Sequence, residues 1–366
     1  MTKFFAGLSA LFMLLFSSFS GFASGNSEGK FNAGEMIMHH IQDAHEIHII
    51  GDFAIYLPVI LKSEKGFEVF CSSHFYHNKK TAAISVHENQ IKNIEYFEHN
   101  GFALFHEKIY YTNEQGELDF DEHGHPTNQA VTIDLSITKN TAGLLFALLI
   151  VTLVFLSVAK AYKKNVNKAP KGLQSFMEPL ILFIRDEVAK PSIGHKYHLF
   201  MPFLLTIFFF IWTCNILGLI PFLGGLNITG TLSVTVVLAT VVFVITSING
   251  NKHYWGHLLW PPGIPLPIKF ILVPIEIAGI FIKPLVLMVR LTANITAGHI
   301  IILAFVCLIF IFGEQSATAG YGVGVGSLFF MIFMNFIELL VAFLQAYVFT
   351  LLAAIYFGSA VEEAHH

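Results

Sequence analysis

Five segments of this chain are apolar over lengths that reach across a lipid bilayer, and this constrains the fold more than any other feature. Residues 142–161, 199–219, 232–248, 268–312 and 327–358 each supply roughly 17 or more mostly apolar residues, enough for a helix to span the hydrocarbon core. Only 13% of the residues are charged and the mean hydropathy is +0.64, against about 25% charged in ordinary soluble domains. The expected fold is an all-α polytopic membrane protein. With 21 basic against 25 acidic residues there is no basic stripe to follow a phosphate backbone, so nucleic acid is not an expected partner. Cys71, Cys214 and Cys307 are isolated in sequence; with no CxxC pair, neither a disulfide framework nor a cysteine metal site is expected, and no cofactor is called for.

The chain ahead of the spans has a different character. Residues 1–23 place Lys3 before the apolar run Phe4 to Phe19 and then the small residues Gly21 and Ala23, which reads as a secretory signal peptide. Residues 24–140 hold eleven of the eighteen histidines and read as a small extracytoplasmic domain, with helix over 35–48 and short strands at 53–61 and 67–70. On that helix His45 and His48 share a face, next to His39 and His40. Without a third ligand at defined spacing, the cluster reads as a solvated face rather than a metal site.

The membrane domain, 141–366, takes its orientation from charge. Lys160, Lys163, Lys164, Lys168 and Lys171 follow the first span and place its end in the cytoplasm. Over 173–188, apolar residues such as Leu173, Met177, Leu180, Ile184 and Val188 recur at helical spacing opposite Glu178, Arg185, Asp186 and Glu187, as in an amphipathic helix on the cytoplasmic face. Spans 199–219 and 232–248 form a hairpin with an uncharged outer turn. By span count the C-terminus ends inside.

The last two segments differ in kind from these upright helices. Residues 268–312 number 45, about 68 Å of helix at 1.5 Å per residue, twice the bilayer core. Such a helix must tilt or kink, and Pro274 and Pro284 permit kinking. After a turn drawn from Gly313, Gly320, Gly322, Gly324 and Gly326, the segment 327–358 completes a long tilted helical hairpin.

This hairpin carries ionisable groups, which are costly in lipid and need a partner or a function. Lys269, Glu276, Lys283 and Arg290 are spaced by seven, a repeat that drifts only about 20° per step, so they form one stripe. Asn294 lies within about 40° of it, whereas His299 points to the opposite side. On the last helix Glu338, Gln345 and Tyr356 form a second stripe. Counting outward from the turn sets His299 beside Glu338, Arg290 near Gln345, and Glu276 near Tyr356. Two polar tiers separated by an arginine have the layout of a proton path interrupted at one cation. A buried salt bridge from Arg290 to Glu276 or Glu338, a secondary transporter holding an anion at Arg290, and a sensor with a passive membrane anchor are the other readings.

Pro284 to His299, in the order Pro-Leu-Val-Leu-Met-Val-Arg-Leu-Thr-Ala-Asn-Ile-Thr-Ala-Gly-His, resembles the arginine helix of subunit a of F-type ATP synthases. Leu344 to Phe349 resembles its last helix, Gly172 to Glu178 its cytoplasmic helix, and Trp212 to Pro221 its second span. The resemblance covers about 145–360. It implies that Arg290 faces a ring of c subunits and meets their carboxylates, that Asn294, His299, Glu338 and Gln345 line an inlet half-channel, and that Glu276 and Tyr356 line a cytoplasmic outlet. It also implies protons, or Na+, as the ion carried, peripheral-stalk b subunits as partners, a bacterial inner membrane, and no covalent catalysis in this chain. Two departures stand out: many bacterial members carry the His299 and Glu338 pair exchanged, and many have Asp where this chain has Gly218.

Overall fold

The computed structural model describes residues 33–50, 53–63, 66–86, 90–121, 123–164, 169–220, 225–260 and 265–362. The signal-peptide reading at 1–23, Lys168, the side chains of His39 and His40, and the C-terminal tail from 363 lie outside the described residues. The chain divides into two compact units, Met1–Ala142 with Ile220–Leu226, and Gly143–Leu219 with Asn227–His366.

The first unit is mainly β. Helix α1 (Ala33–Ile41) is followed by β1 (Glu46–Ile50), β2 (Phe53–Tyr56), β3 (Pro58–Ser63), β4 (Gly66–Cys71), the single turn α2 (Ser73–Tyr76), β5 (Lys79–Val86), β6 (Gln90–His99), β7 (Phe102–Phe105) and β8 (Lys108–Tyr111). β5 to β8 form an antiparallel meander, while β1–β2 and β3–β4 are separate hairpins. The alternation of β3 sends Val59 and Leu61 inward, where they pack with Phe75, Phe102, Leu104 and Ile109.

The helix expected over 35–48 ends at Ile41, and Glu46–Ile50 is a strand. Ile47, Ile49 and Ile50 are β-branched and suit a pleated ladder better than a helix. His45 and His48 consequently do not share a helix face. His45 is buried, not solvated, with its backbone N–H and Nδ1 at 3.3 and 3.5 Å from Glu107 Oε2. His48 Nε2 lies 2.7 Å from Glu46 Oε1. That hydrogen bond to a carboxylate holds the His48 imidazole above its ordinary pKa. Among the described residues no group of three or more His, Cys, Asp or Glu is placed to hold a metal ion.

Helix α3 (Lys139–Lys164) has its first turn in the first unit and the rest in the second. The second unit continues with α4 (Leu173–Phe183), a π-helical turn (Ile184–Ala189), α5 (Lys190–Ile193), α6 (Tyr197–Gly218), α7 (Leu232–Asn249), α8 (Lys252–Leu259), α9 (Leu266–Gln315) and α10 (Ala317–Val361). Among the described residues five helical runs are long and apolar enough to cross a membrane. Helices are how a chain in lipid satisfies its backbone groups internally.

The amphipathic segment does more than lie on a surface. Its apolar residues Met177, Ile184, Val188 and Ala189 are buried, with the π turn against α6 and α10. Phe183 meets Tyr347 of α10 at 5.5 Å between ring centroids. At the far end of α10, Phe357 stacks on Phe200 at 4.9 Å, and Asn251 N–H donates to Ala360 O at 2.9 Å. Gly358 presses against the Ser192 carbonyl so closely that a Cβ there would overlap it.

The Gly-rich turn expected between the two long helices is absent from the described fold: α9 runs through Gly313 to Gln315, Ser316 alone breaks the chain, and α10 begins at Ala317. Gly320, Gly322, Gly324 and Gly326 are helical. Membrane helices tolerate glycine in this way, and here it permits close approach, since a Cβ on Gly320 would lie 2.8 Å from Gly313 Cα.

Candidate functional site

Helix α9 turns Leu287, Leu291 and Ile295 inward, all of them buried. On a wheel of about 100° per residue these three centre about 100° from Arg290, with Asn294 about 60° to one side of that centre and His299 about 80° to the other. Asn294 and His299 thus look opposed in sequence, yet both reach α10 from the flanks of the contact line. Asn294 Nδ2 donates to Gln345 Oε1 at 3.0 Å. His299 Nδ1 lies 3.9 Å from Glu338 Oε1.

Gln345 and Glu338 are both buried. Both carboxylate oxygens of Glu338 lack a hydrogen-bond partner among the described residues. A gap of 3.9 Å is too long for a direct hydrogen bond and short enough for a small rotation or one water to close. Gly298 makes room for the carboxylate, since a Cβ there would stand 2.7 Å from Glu338 Oε1.

Arg290 stands about 100° from the packed seam, and its side chain is exposed on the surface of this chain. Among the described residues it forms no salt bridge or hydrogen bond. The bridges to Glu276 or Glu338 weighed above are not formed.

The depth pairing needs one correction. Tyr356 faces Lys283, whose Nζ sits 5.6 Å from its ring centroid, rather than Glu276. Glu276 instead acts electrostatically on Tyr254 of α8, whose hydroxyl is pushed above its usual pKa by burial first and that carboxylate second. A strict count would have found this: Tyr356 is 30 residues after Gly326, which matches residue 282, not 276. The same count puts Gln345 opposite residue 293, next to Asn294 and one turn beyond Arg290.

Besides Lys283 and Tyr356, which the sequence singles out, several polar groups that sequence reasoning passed over are brought together here. Thr246, Ser247, Tyr254, Lys283, Tyr356 and Ser359 line a cavity of about 20 Å³, room for about one water. Near the other tier, buried Asn215 donates to Ala342 O at 3.0 Å and accepts from Thr229 Oγ1 at 2.6 Å. The Thr235 and Thr292 hydroxyls are 2.8 Å apart. An Asn or Thr inside an apolar run was the available signal, because buried polar groups are nearly always paired.

Fold and site together define a multi-pass membrane protein whose last two helices hold polar and ionisable side chains between them. The profile of the ATP synthase A chain family matches residues 142–358. Residues 36–135 match a domain of unknown function. Subunit a of the ATP synthase of Chloroherpeton thalassium is 42% identical over 265 residues, covering 70% of this chain and 77% of the relative. ATP synthase subunit a 2 of Chlorobaculum tepidum is 45% identical over 247 residues, covering 66% and 68%. The chain belongs to the ATP synthase A chain family, as a membrane subunit of the proton-translocating F0 sector that associates with the rest of the complex.

Proposed function

We propose that this chain forms two ion half-channels and the arginine barrier between them, coupling proton movement to rotation of a c-ring and so to ATP synthesis. The observation that supports this most is the arrangement along α9. His299 with Glu338 and Asn294 with Gln345 form two tiers inside the seam, while Arg290 stands outside it, with no carboxylate partner among the described residues. Glu276, Tyr356 and the small cavity at Lys283 and Tyr254 form the outlet.

The coupling is electrostatic. A ring carboxylate that reaches Arg290 is attracted only when ionised, and the fixed guanidinium keeps protons from crossing directly between the half-channels. Each charge moved through 100 mV releases about 2.3 kcal/mol, which is available only if the ring turns. This chain performs no covalent step. Its partners in this reading are the c-ring and the peripheral-stalk b subunits, and its ion is the proton, with Na+ the alternative that the ring would decide.

By the same reading 1–23 is a signal peptide, 24–140 an extracytoplasmic domain and 141–366 the membrane domain. The chain sits in a bacterial inner membrane with its mature N-terminus in the periplasm and its C-terminus in the cytoplasm. The test is Arg290→Lys and Arg290→Ala in the assembled complex, with ATP-driven proton pumping read in inverted vesicles. Loss of pumping in both is expected. Pumping near the wild-type rate with either change overturns the assignment.

A further inference from the structure

The first unit presents an apolar sheet face that none of its described residues covers. In the β3–β4 hairpin Lys62 pairs with Phe67 and Ile60 with Val69, so these four side chains share one face, opposite the buried Val59 and Leu61. The chain then returns beside β3: Lys62 N–H donates to Ile133 O and Leu135 N–H to Ile60 O, around the Leu61 to Asp134 bridge. That register brings Ile133 and Leu135 onto the same face. Phe67 is 65% exposed, Val69 67% and Leu135 57%. A three-stranded layer with apolar residues on both faces is one that is covered on both sides in its working state.

Two observations identify the cover. First, Leu135 lies only four residues before Lys139, where the first membrane-length helix begins. Four extended residues reach at most about 14 Å. The 26-residue helix is about 39 Å long against a hydrocarbon core of about 30 Å, which leaves its first turn in the headgroup layer. The face is thus tethered within a few residues of lipid. Second, its one charged side chain among the described residues is Lys62, exposed beside Phe67, while Glu68 and Asp134 fall on the opposite face by alternation. A lysine among exposed apolar side chains, with no carboxylate beside it among the described residues, suits anionic phospholipid headgroups.

We propose that the face made by Ile60, Lys62, Phe67, Val69, Ile133 and Leu135 docks on the bilayer surface, burying its apolar side chains at the headgroup boundary with Lys62 among the phosphates. The domain then lies against the membrane as a second, peripheral attachment beside the first span.

The chain carries its own probe. Cys71 continues the Phe67, Val69 alternation on this face and is partly exposed, whereas Cys214 and Cys307 are buried in spans. The full chain is reconstituted in nanodiscs of phosphatidylcholine and phosphatidylglycerol and labelled at Cys71 with an environment-sensitive fluorophore. Quenching is read with lipid carrying a doxyl group near the headgroup, and separately with aqueous iodide. Phe67→Cys, in a chain with Cys71→Ser, repeats the measurement, and Glu95→Cys in the same background, on the other sheet, is the control. The expected result is loss of emission with doxyl lipid at 71 and 67 and none at 95, with the loss reduced by Lys62→Glu. Iodide quenching at 71 and 67 equal to that at 95 overturns the proposal. Protection from both quenchers also overturns it, since a second copy or a protein partner then covers the face.

Discussion

Gly298→Ala isolates the contact between α9 and Glu338. The added methyl would stand 2.7 Å from Oε1 and 3.2 Å from Cδ of Glu338, against 3.4 Å or more for an ordinary contact, so the carboxyl group must move by about 0.7 Å. Oε1 is also the atom that faces His299 Nδ1 at 3.9 Å, so the displacement falls on the spacing across which the proposed inlet would relay protons between these two groups. Holding Glu338 away from its rotamer costs about 0.5–1.5 kcal/mol, and at 1.36 kcal/mol per tenfold this lowers transport about two- to tenfold. Folding should not suffer in parallel, because Ala is favoured over Gly inside a helix by up to about 1 kcal/mol. The assay is ATP-driven proton pumping in inverted vesicles, normalised to the amount of assembled complex. Glu338→Asp shortens the side chain by about 1.5 Å and should partly relieve Gly298→Ala, a coupling that a double-mutant cycle reads directly. Wild-type pumping by Gly298→Ala, or a double variant slower than both single ones, refutes the reasoning.

Exchanging the pair, His299→Glu with Glu338→His, should restore proton flux better than either single change, because the same two groups face each other again; an active His299→Leu, Glu338→Leu protein would show a lock rather than a relay. Glu276→Gln should slow pumping without stopping it, since Tyr254, Lys283 and Tyr356 keep the outlet polar, and either complete loss or no change in the vesicle assay argues for a structural role. In the first unit the hydrogen bond that His48 donates to the Glu46 carboxylate raises the His48 pKa above its ordinary 6.5. The stabilisation this gives is complete below pH 6.5 and fades as pH rises through the higher folded-state value. Hydrogen exchange of the β1–β2 amides should quicken over that rise in the wild type and show no such pH step in Glu46→Gln; a step of equal size in both refutes the link.

The membrane half of the fold was legible because its signal is gross. A stretch such as 199–219 is apolar on every side, and no soluble alternative competes. What failed were features decided by a few contacts. The glycines at 320, 322, 324 and 326 carry turn chemistry in water, but in α10 all four are helical, and Gly320 packs closely on Gly313. Apolar periodicity joins residues 42–48 to α1, although Ile47, Ile49 and Ile50 favour a strand, and the buried His45 finds its partner in Glu107, 62 residues away, which no local pattern encodes. In the candidate site, spacing alone found His299 with Glu338. It missed Tyr254, because the link between α8 and Glu276 is tertiary, and it misassigned Tyr356 through a loosened count rather than for want of information.

The junction where α10 ends has a mechanical meaning. Contacts through long side chains give way by changing rotamer, whereas Gly358 meets the Ser192 carbonyl backbone to backbone, and Ala360 takes a peptide hydrogen bond from Asn251. Such a joint has almost no slack, so its compliance is that of the peptide chain itself. A sideways load on the exposed flank of α9 and α10 therefore passes into α5 and α6 without first bending the hairpin. Under the rotating ring proposed above, the recoil of each step would reach the rest of the assembly as force rather than remain in this subunit as elastic strain.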